Sequence, residues 1–258
     1  MSMAKTFILG VIPARYASTR FQGKPLALIQ GVSMIQRVYE RCLKSQQLSD
    51  ICVATDDVRI EKHVKEFGGK VVMTSAEHPS GTDRCLEAAI VFSKQYADNK
   101  FPDIVLNIQG DEPLIDPAII DSLALAFHDS EVEIATPACS FRNLEQVQNR
   151  NSVKIVTDVN GNALYFSRSP IPFFRNDQPM LENYLKHIGL YAYKTHVLKE
   201  ICSLKVSSLE KSESLEQLRW LENGYKIRIV RAQSEGLCVD VPSDIQELEK
   251  YMKLNSIQ

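Results

Sequence analysis

The chain has 258 residues, is 44% hydrophobic and 24% charged, and carries a formal net charge of −2 at pH 7. That length supports one large core. The charge argues against a surface that coats nucleic acid, so an anionic ligand must be met by local cations, and no apolar run reaches the length of a membrane span. Six dispersed cysteines without Cys-x-x-Cys spacing read as reduced thiols in a cytoplasm. The five histidines show no zinc spacing, and the N-terminus shows no signal-peptide pattern.

In chain order, the apolar run 7–12 predicts a buried strand. A helix follows over 34–45, with Ile35, Val38, Tyr39 and Cys42 at helical spacing and Ser33 as N-cap. Residues 51–54 predict a second strand. Asp57 opens a helix carrying Ile60, Val64 and Phe67 on one face, and Gly68-Gly69 ends it. Residues 71–73 predict a strand, 82–96 a helix and 104–108 a strand, and Pro117 starts a helix running to about 128. This alternation implies an α/β fold, a mostly parallel, doubly wound sheet. Ligands in such sheets sit at the carboxyl ends of strands where strand order reverses, which points to the loops 13–25 and 109–116.

The second half is less regular. Strands are expected at 134–141, 153–157, 188–193 and 227–230, with a hairpin turn at Asn160-Gly161. Residues 168–185, with Pro170, Pro172 and Pro179, predict an irregular excursion. Leu215, Leu218 and Leu221 mark a helix that stops at Gly224, and Pro242 starts a terminal helix. With no repeats or low-complexity linker, the chain reads as a single domain, 1–258, with about 150–195 as a smaller lobe.

Several stretches carry groups suited to chemistry. Residues 12–26 follow the first strand and contain Arg15, Arg20, Lys24, Ser18 and Thr19. Such a loop is either a phosphate receptor or an exposed basic loop. Asp111, in Gln109-Gly110-Asp111-Glu112-Pro113, is either a magnesium ligand or a turn former. Asp240 is a second carboxylate or a helix cap. Residues 78–84 offer Ser80, Thr82 and Arg84, either as caps or as a nucleotide pocket. His187, Gly189, Tyr191 and Tyr193 share one face of an alternating stretch, which either packs or lines a sugar pocket. Glu216 and Gln217 stand at a helix start. The sequence lacks the Gly-x-Gly-x-x-Gly, Gly-x-x-x-x-Gly-Lys-Ser/Thr and Gly-x-Ser-x-Gly patterns, which counts against a dinucleotide enzyme, a P-loop NTPase and an α/β-hydrolase.

Together these segments resemble the 3-deoxy-manno-octulosonate (Kdo) cytidylyltransferases. The resemblance is carried by residues 12–20 with 23–26, by Val-Ala-Thr-Asp-Asp at 53–57, Ser-Gly-Thr-Asp-Arg at 80–84 and Gln-Gly-Asp-Glu-Pro at 109–113. It continues through Ala-Leu-Tyr-Phe-Ser-Arg at 163–168, Lys-His-Ile-Gly-Leu-Tyr at 186–191 and Glu-Ser-Leu-Glu-Gln-Leu-Arg at 213–219. It implies a nucleotidyltransferase fold and transfer of CMP from CTP to Kdo with Mg²⁺, releasing pyrophosphate, for lipopolysaccharide synthesis. It also implies a cytoplasmic homodimer, with the irregular second-half segment at its interface and no nucleic-acid or membrane partner.

The resemblance assigns Arg15, Ser18 and Lys24 to the CTP phosphates, and Pro13, Ala14, Ser80 and Arg84 to the cytidine. It assigns Asp111 and Asp240 to magnesium, and Gln109, Arg168, His187, Tyr191, Glu216 and Gln217 to Kdo. Lys24, Asp111 and Asp240 would be the catalytic groups. The alternatives are a relative that activates sialic acid or an amino-Kdo, which the residues at 187–191 and 216–217 discriminate only weakly, and a non-catalytic nucleotide-binding regulator, which would lack the two carboxylates. The chain departs from the family at Phe21-Gln22, where Leu-Pro is usual, so a looser phosphate loop is expected. It departs again at Arg150, where Pro is commoner.

Overall fold

The structure is a computed structural model, described for residues 6–17, 20–175, 178 and 180–257. The chain divides into two compact units, residues 1–121 with 236–258, and residues 122–235. Among the described residues, no helix is long and apolar enough to cross a membrane.

In the first unit, β1 (Ile8–Ala14) is followed by the short strands β2 (Leu28–Ile29) and β3 (Val32–Ser33), which pair with each other. Next come α1 (Met34–Cys42), β4 (Asp50–Thr55), α2 (Val58–Glu66), β5 (Val71–Met73), α3 (Gly81–Tyr96) and β6 (Ile104–Asn107), then α4 (Pro117–Leu125). β5, β4, β1 and β6 lie side by side in that order, all parallel. Leu9, Val11 and Ile12 are fully buried, as expected of a strand covered on both faces. The chain moves outward from β1 to β4 and β5, then returns to place β6 on the other side of β1. Strand order therefore reverses between β1 and β6, the position that favours a ligand crevice.

Local sequence explains the helix boundaries. The Ser33 hydroxyl accepts from the Gln36 amide and caps α1, and the Asp57 carboxylate caps α2. α2 ends as the glycine pair predicts. Gly68 takes φ 79°, its amide donates to the Lys65 carbonyl, and the Gly69 amide donates to the Val64 carbonyl. This is a Schellman closure. The last element of this unit, α9 (Pro242–Leu254), packs Leu248 and Met252 on Ile29, Met34 and Val239.

The second unit is built around β7 (Ile134–Ser140). It also holds α5 (Leu144–Gln148), β8 (Lys154–Thr157), β9 (Ala163–Ser167), β10 (Leu185–His187), β11 (Tyr191–Lys194), α6 (Thr195–Cys202), α7 (Ser208–Glu213), α8 (Gln217–Glu222) and β12 (Ile227–Arg231). β7 is antiparallel to β10 and β11 and parallel to β12. β8 and β9 form the expected hairpin, with Gly161 at φ 78°. The predicted strand 188–193 starts later, at Tyr191, because residues 188–190 break the ladder between β10 and β11. In the proline-rich excursion, a short 3₁₀ turn, Leu181–Asn183, precedes β10.

Lys154 is fully buried in β8. Its ammonium donates to the carbonyls of Asn149 (3.1 Å), Ser152 (2.7 Å) and Arg168 (2.5 Å), and burial lowers its pKa. Lys154→Met would leave three carbonyls without this donor, at a cost of about 3 kcal/mol. A urea titration should show the midpoint falling with an unchanged slope.

Candidate active site

The carboxyl ends of β1 and β6 bring the predicted loops together. Gly110 makes this possible, because a Cβ there would come within 2.8 Å of the Pro13 carbonyl oxygen. Only glycine lets the turn carrying Asp111 lie against the end of β1. The Asp111 carbonyl then accepts from the Val239 amide at 3.0 Å, which draws the segment before α9 to the same place.

Lys24 is the centre of the resulting cluster. Its ammonium lies 2.8 Å from Asp111 Oδ2, 3.0 Å from the Val239 carbonyl and 3.7 Å from Asp240 Oδ1. Arg20 reaches the same Asp240 oxygen at 3.2 Å. Asp240 does not cap α9. That work falls to Asp244, whose Oδ2 accepts from the amides of Asp240 (2.7 Å) and Val241 (2.9 Å). The donor atoms of Asp111, Asp240 and Cys238 all lie within 4.8 Å of one another. Two carboxylates that close suit Mg²⁺, a hard cation that takes few protein ligands and completes its shell with water and phosphate oxygens. The Cys238 thiol is a poor ligand for that ion. Its pKa is pushed up by the surrounding protein and by both carboxylates.

A cavity of about 350 Å³ opens here, with Pro13, Ala14, Arg15, Arg20, Lys24 and Gln109 among the residues on its walls. Arg15 is exposed and donates to the His78 carbonyl. Ser80 caps α3, its hydroxyl accepting from the Asp83 amide and donating to the Asp83 carboxylate. Arg84 is fully buried and donates to Thr74 Oγ1 (2.6 Å) and Asp56 Oδ2 (3.4 Å). Ser18, expected among the phosphate ligands, lies outside the described residues.

The remaining candidates belong to the second unit. Arg168 is held by backbone. Its Nε donates to the Glu213 carbonyl (2.6 Å), Nη1 to that of Arg150 (3.0 Å) and Nη2 to that of Ser214 (3.2 Å). A guanidinium has five N–H groups, so donors remain for an anion. His187 hydrogen-bonds Thr136 Oγ1 at 2.9 Å and stacks edge-on with Phe166. Tyr191 lies between His187 and Trp220, with ring centroids at 5.3 and 5.1 Å, and stacks on Tyr193. Burial and Glu216 push the Tyr191 pKa up. Glu216 immediately precedes α8 and pairs with Arg219 at 3.3 Å. Gln217 is buried, and its Nε2, like Trp220 Nε1, has no hydrogen-bond partner among the described residues.

Comparison with known proteins decides the family. Residues 9–227 match the cytidylyltransferase family. A 3-deoxy-manno-octulosonate cytidylyltransferase of Bacteroides thetaiotaomicron is 52% identical over 96% of this chain and 99% of its own. The protein of the same name from Solibacter usitatus is 47% identical over 97% and 96%. The chain belongs to the 3-deoxy-manno-octulosonate cytidylyltransferase family. A solved structure of CMP:2-keto-3-deoxy-manno-octonic acid synthetase complexed with CTP is 40% identical, with a TM-score of 0.89, covering 97% of this chain and all of that one. At 13% identity and a TM-score of 0.63, 4-diphosphocytidyl-2C-methyl-D-erythritol synthase of Anaerococcus prevotii shares the nucleotidyltransferase fold.

Sequence reasoning missed three neighbours of these residues. Glu213 accepts from Ser167 Oγ and from the Arg168 amide. Trp220 joins the tyrosines. Asn107 ends β6, buried, with its side-chain oxygen unpartnered. The one signal that could have flagged Asn107 is a polar residue closing an apolar strand at the sheet's carboxyl edge.

Burial pushes the His187 pKa down to about 3, whereas an unfolded histidine titrates near about 6.5. Between those values the unfolded chain binds the extra proton, so stability present above about pH 6.5 is lost as pH falls. The His187 share of that loss should be about 2 kcal/mol by pH 5. Urea midpoints of the parent and of His187→Gln, compared at pH 7.5 and 5, should show a smaller drop in the variant.

Proposed function

We propose that this protein transfers CMP from CTP to the anomeric hydroxyl of Kdo, giving CMP-Kdo and pyrophosphate. The observation that carries this reading is the convergence of Lys24, Asp111 and Asp240 at the β1–β6 crevice, in a chain whose full-length relatives bear that name.

The sugar hydroxyl oxygen forms a bond to the α-phosphorus and gives up its proton to solvent, while the bond from that phosphorus to the pyrophosphate oxygen breaks. No protein nucleophile is needed. Catalysis then rests on alignment and on charge placed where the leaving group develops. Lys24 and Arg15 are the cations we assign to the triphosphate. Lys24 leaves its carboxylate partners for phosphate oxygens and stabilises the departing pyrophosphate. Asp111 and Asp240, freed of that ammonium, would hold Mg²⁺, which supplies charge neutralisation and a lower pKa for a coordinated hydroxyl.

Pro13, Ala14 and Ser80 are assigned to the nucleoside. The buried Arg84 supports that wall through Thr74 and Asp56 rather than by exposed contact. Arg168, with N–H donors to spare, is assigned to the sugar carboxylate. Gln109, His187, Tyr191, Glu216 and Gln217 are assigned to the sugar's hydroxyls.

We further propose that the enzyme works in the cytoplasm in lipopolysaccharide synthesis, as a homodimer. The excursion carrying the exposed Phe173 and Met180 offers apolar surface for pairing with a second copy.

Pyrophosphate release with CTP, Mg²⁺ and Kdo tests the reading. Turnover with N-acetylneuraminate or an amino-Kdo and silence with Kdo would reassign the sugar. Asp111→Ala should lower turnover at least about 100-fold with native circular dichroism, and near-normal turnover would remove Asp111 from the metal site.

A further inference from the structure

The segment between β1 and Lys24 carries glutamine at position 22, and its described residues are fastened at two points. Phe21 packs on the cluster of Ile29, Met34, Val239, Leu248 and Met252. Tyr16 is fastened by a contact specific to α2. The Arg59 guanidinium carbon lies 3.3 Å from the centroid of the Tyr16 ring. Arg59 is itself fixed by Asp57, which accepts from Nε at 2.9 Å and Nη2 at 2.6 Å. A two-point carboxylate grip sets the plane of a guanidinium, and a guanidinium held flat on a tyrosine face is attracted by the ring's negative centre.

The other neighbour of the ring is Gly23. Its amide donates to the Tyr16 carbonyl at 2.9 Å, and at φ 71° a Cβ would come within 3.1–3.2 Å of three Tyr16 atoms. Gly23 immediately precedes Lys24. A displaced Tyr16 ring therefore moves the turn that aims the Lys24 ammonium at Asp111.

We propose that Arg59 is a positioning residue for the triphosphate loop: by holding Tyr16 against Gly23 it keeps Lys24 in place before CTP arrives, the stiffening that a proline at position 22 would otherwise give. The inference rests on the proposed use of this loop for CTP. Arg59 touches no reacting atom, and its side chain is more than half exposed, so its removal should not unfold the protein. A pre-shaped loop lowers the ordering cost of binding, and removing interactions that serve ground and transition states equally raises KM and spares kcat.

The test compares Arg59→Ala, Arg59→Lys and Arg59→Ala/Gln22→Pro with the parent full-length chain. Hydrogen exchange at the Gly23 amide, measured without nucleotide, should speed up about tenfold in Arg59→Ala. The KM for CTP should rise about three- to tenfold with kcat within about twofold. Arg59→Lys, which keeps a cation but has no planar fork for Asp57 to grip, should restore both quantities only in part, and Gln22→Pro should restore both. Unchanged Gly23 exchange in Arg59→Ala would overturn the clamp, and faster exchange with an unchanged KM for CTP would overturn its bearing on binding. If the parent chain does not turn over CTP at all, the functional reading fails, and the exchange measurement still decides the clamp.

Discussion

Asp111 and Asp240 place two negative charges within one ion's reach, and Lys24 is what makes that placement tolerable. At an effective dielectric near 20, unit charges about 4 Å apart interact by about 4 kcal/mol. The carboxylates' repulsion is therefore of the same order as each one's attraction to the ammonium. Lys24 is largely buried, at 16% side-chain exposure, while Asp240 is half-exposed, at 46%. The shielded contact with Asp111 is thus the stronger of the two, and the outer one, shared with the exposed Arg20, exchanges more readily for a phosphate oxygen. In the cluster, cation and anions neutralise each other, and on the proposed reading a polyanion and a metal ion would offer each a better partner.

Everything around the cluster serves to assemble it from distant sequence. Lys24 and Val239 are 215 residues apart. β1 ends where the basic loop must start, Gly110 lets the turn after β6 press on Pro13, and the Asp111 carbonyl ties down the segment ahead of α9. Asp244 takes the capping work at that helix, which leaves the Asp240 carboxylate available. Had Asp240 capped the helix, its lone pairs would be spent on backbone amides rather than facing Lys24 and Asp111.

Features set by neighbours in sequence were legible before the structure. The parallel sheet follows from alternation of apolar strands and amphipathic helices, the end of α2 from Gly68-Gly69, and the β8–β9 turn from Asn160-Gly161. The meeting of Asp111 and Lys24 falls in the two loops, 13–25 and 109–116, to which the strand alternation pointed. What sequence left open depends on which way a side chain turns. Arg84 could have faced a ligand or the interior, and Thr74 with Asp56 draws it inward. Phe21 packing on the cluster under α9 and Arg59 lying on Tyr16 are likewise invisible in the sequence, because neither partner is within helical or strand reach of the loop. Arg150 likewise looked like a mere departure, yet its carbonyl accepts from Arg168, and that backbone contact is invisible to residue identity.

The two halves of the chemistry are prepared in different currencies. The proposed phosphate half is balanced charge, and a ligand there would compete with bonds already made. Among the described residues, the candidate Gln217 Nε2 and its neighbour Trp220 Nε1 are buried with no hydrogen-bond partner, near a Tyr191 phenol whose pKa burial raises. Each orphaned donor costs about 1–3 kcal/mol, and that cost is recovered only by a ligand or water that presents an acceptor. Sites built this way discriminate sharply against analogues lacking the matching group, because the rejected analogue leaves the protein's donors unpaired. On the proposed reading, selection of one sugar acid over another would fall to these uncharged donors and to the fork of Arg168 rather than to the cation cluster.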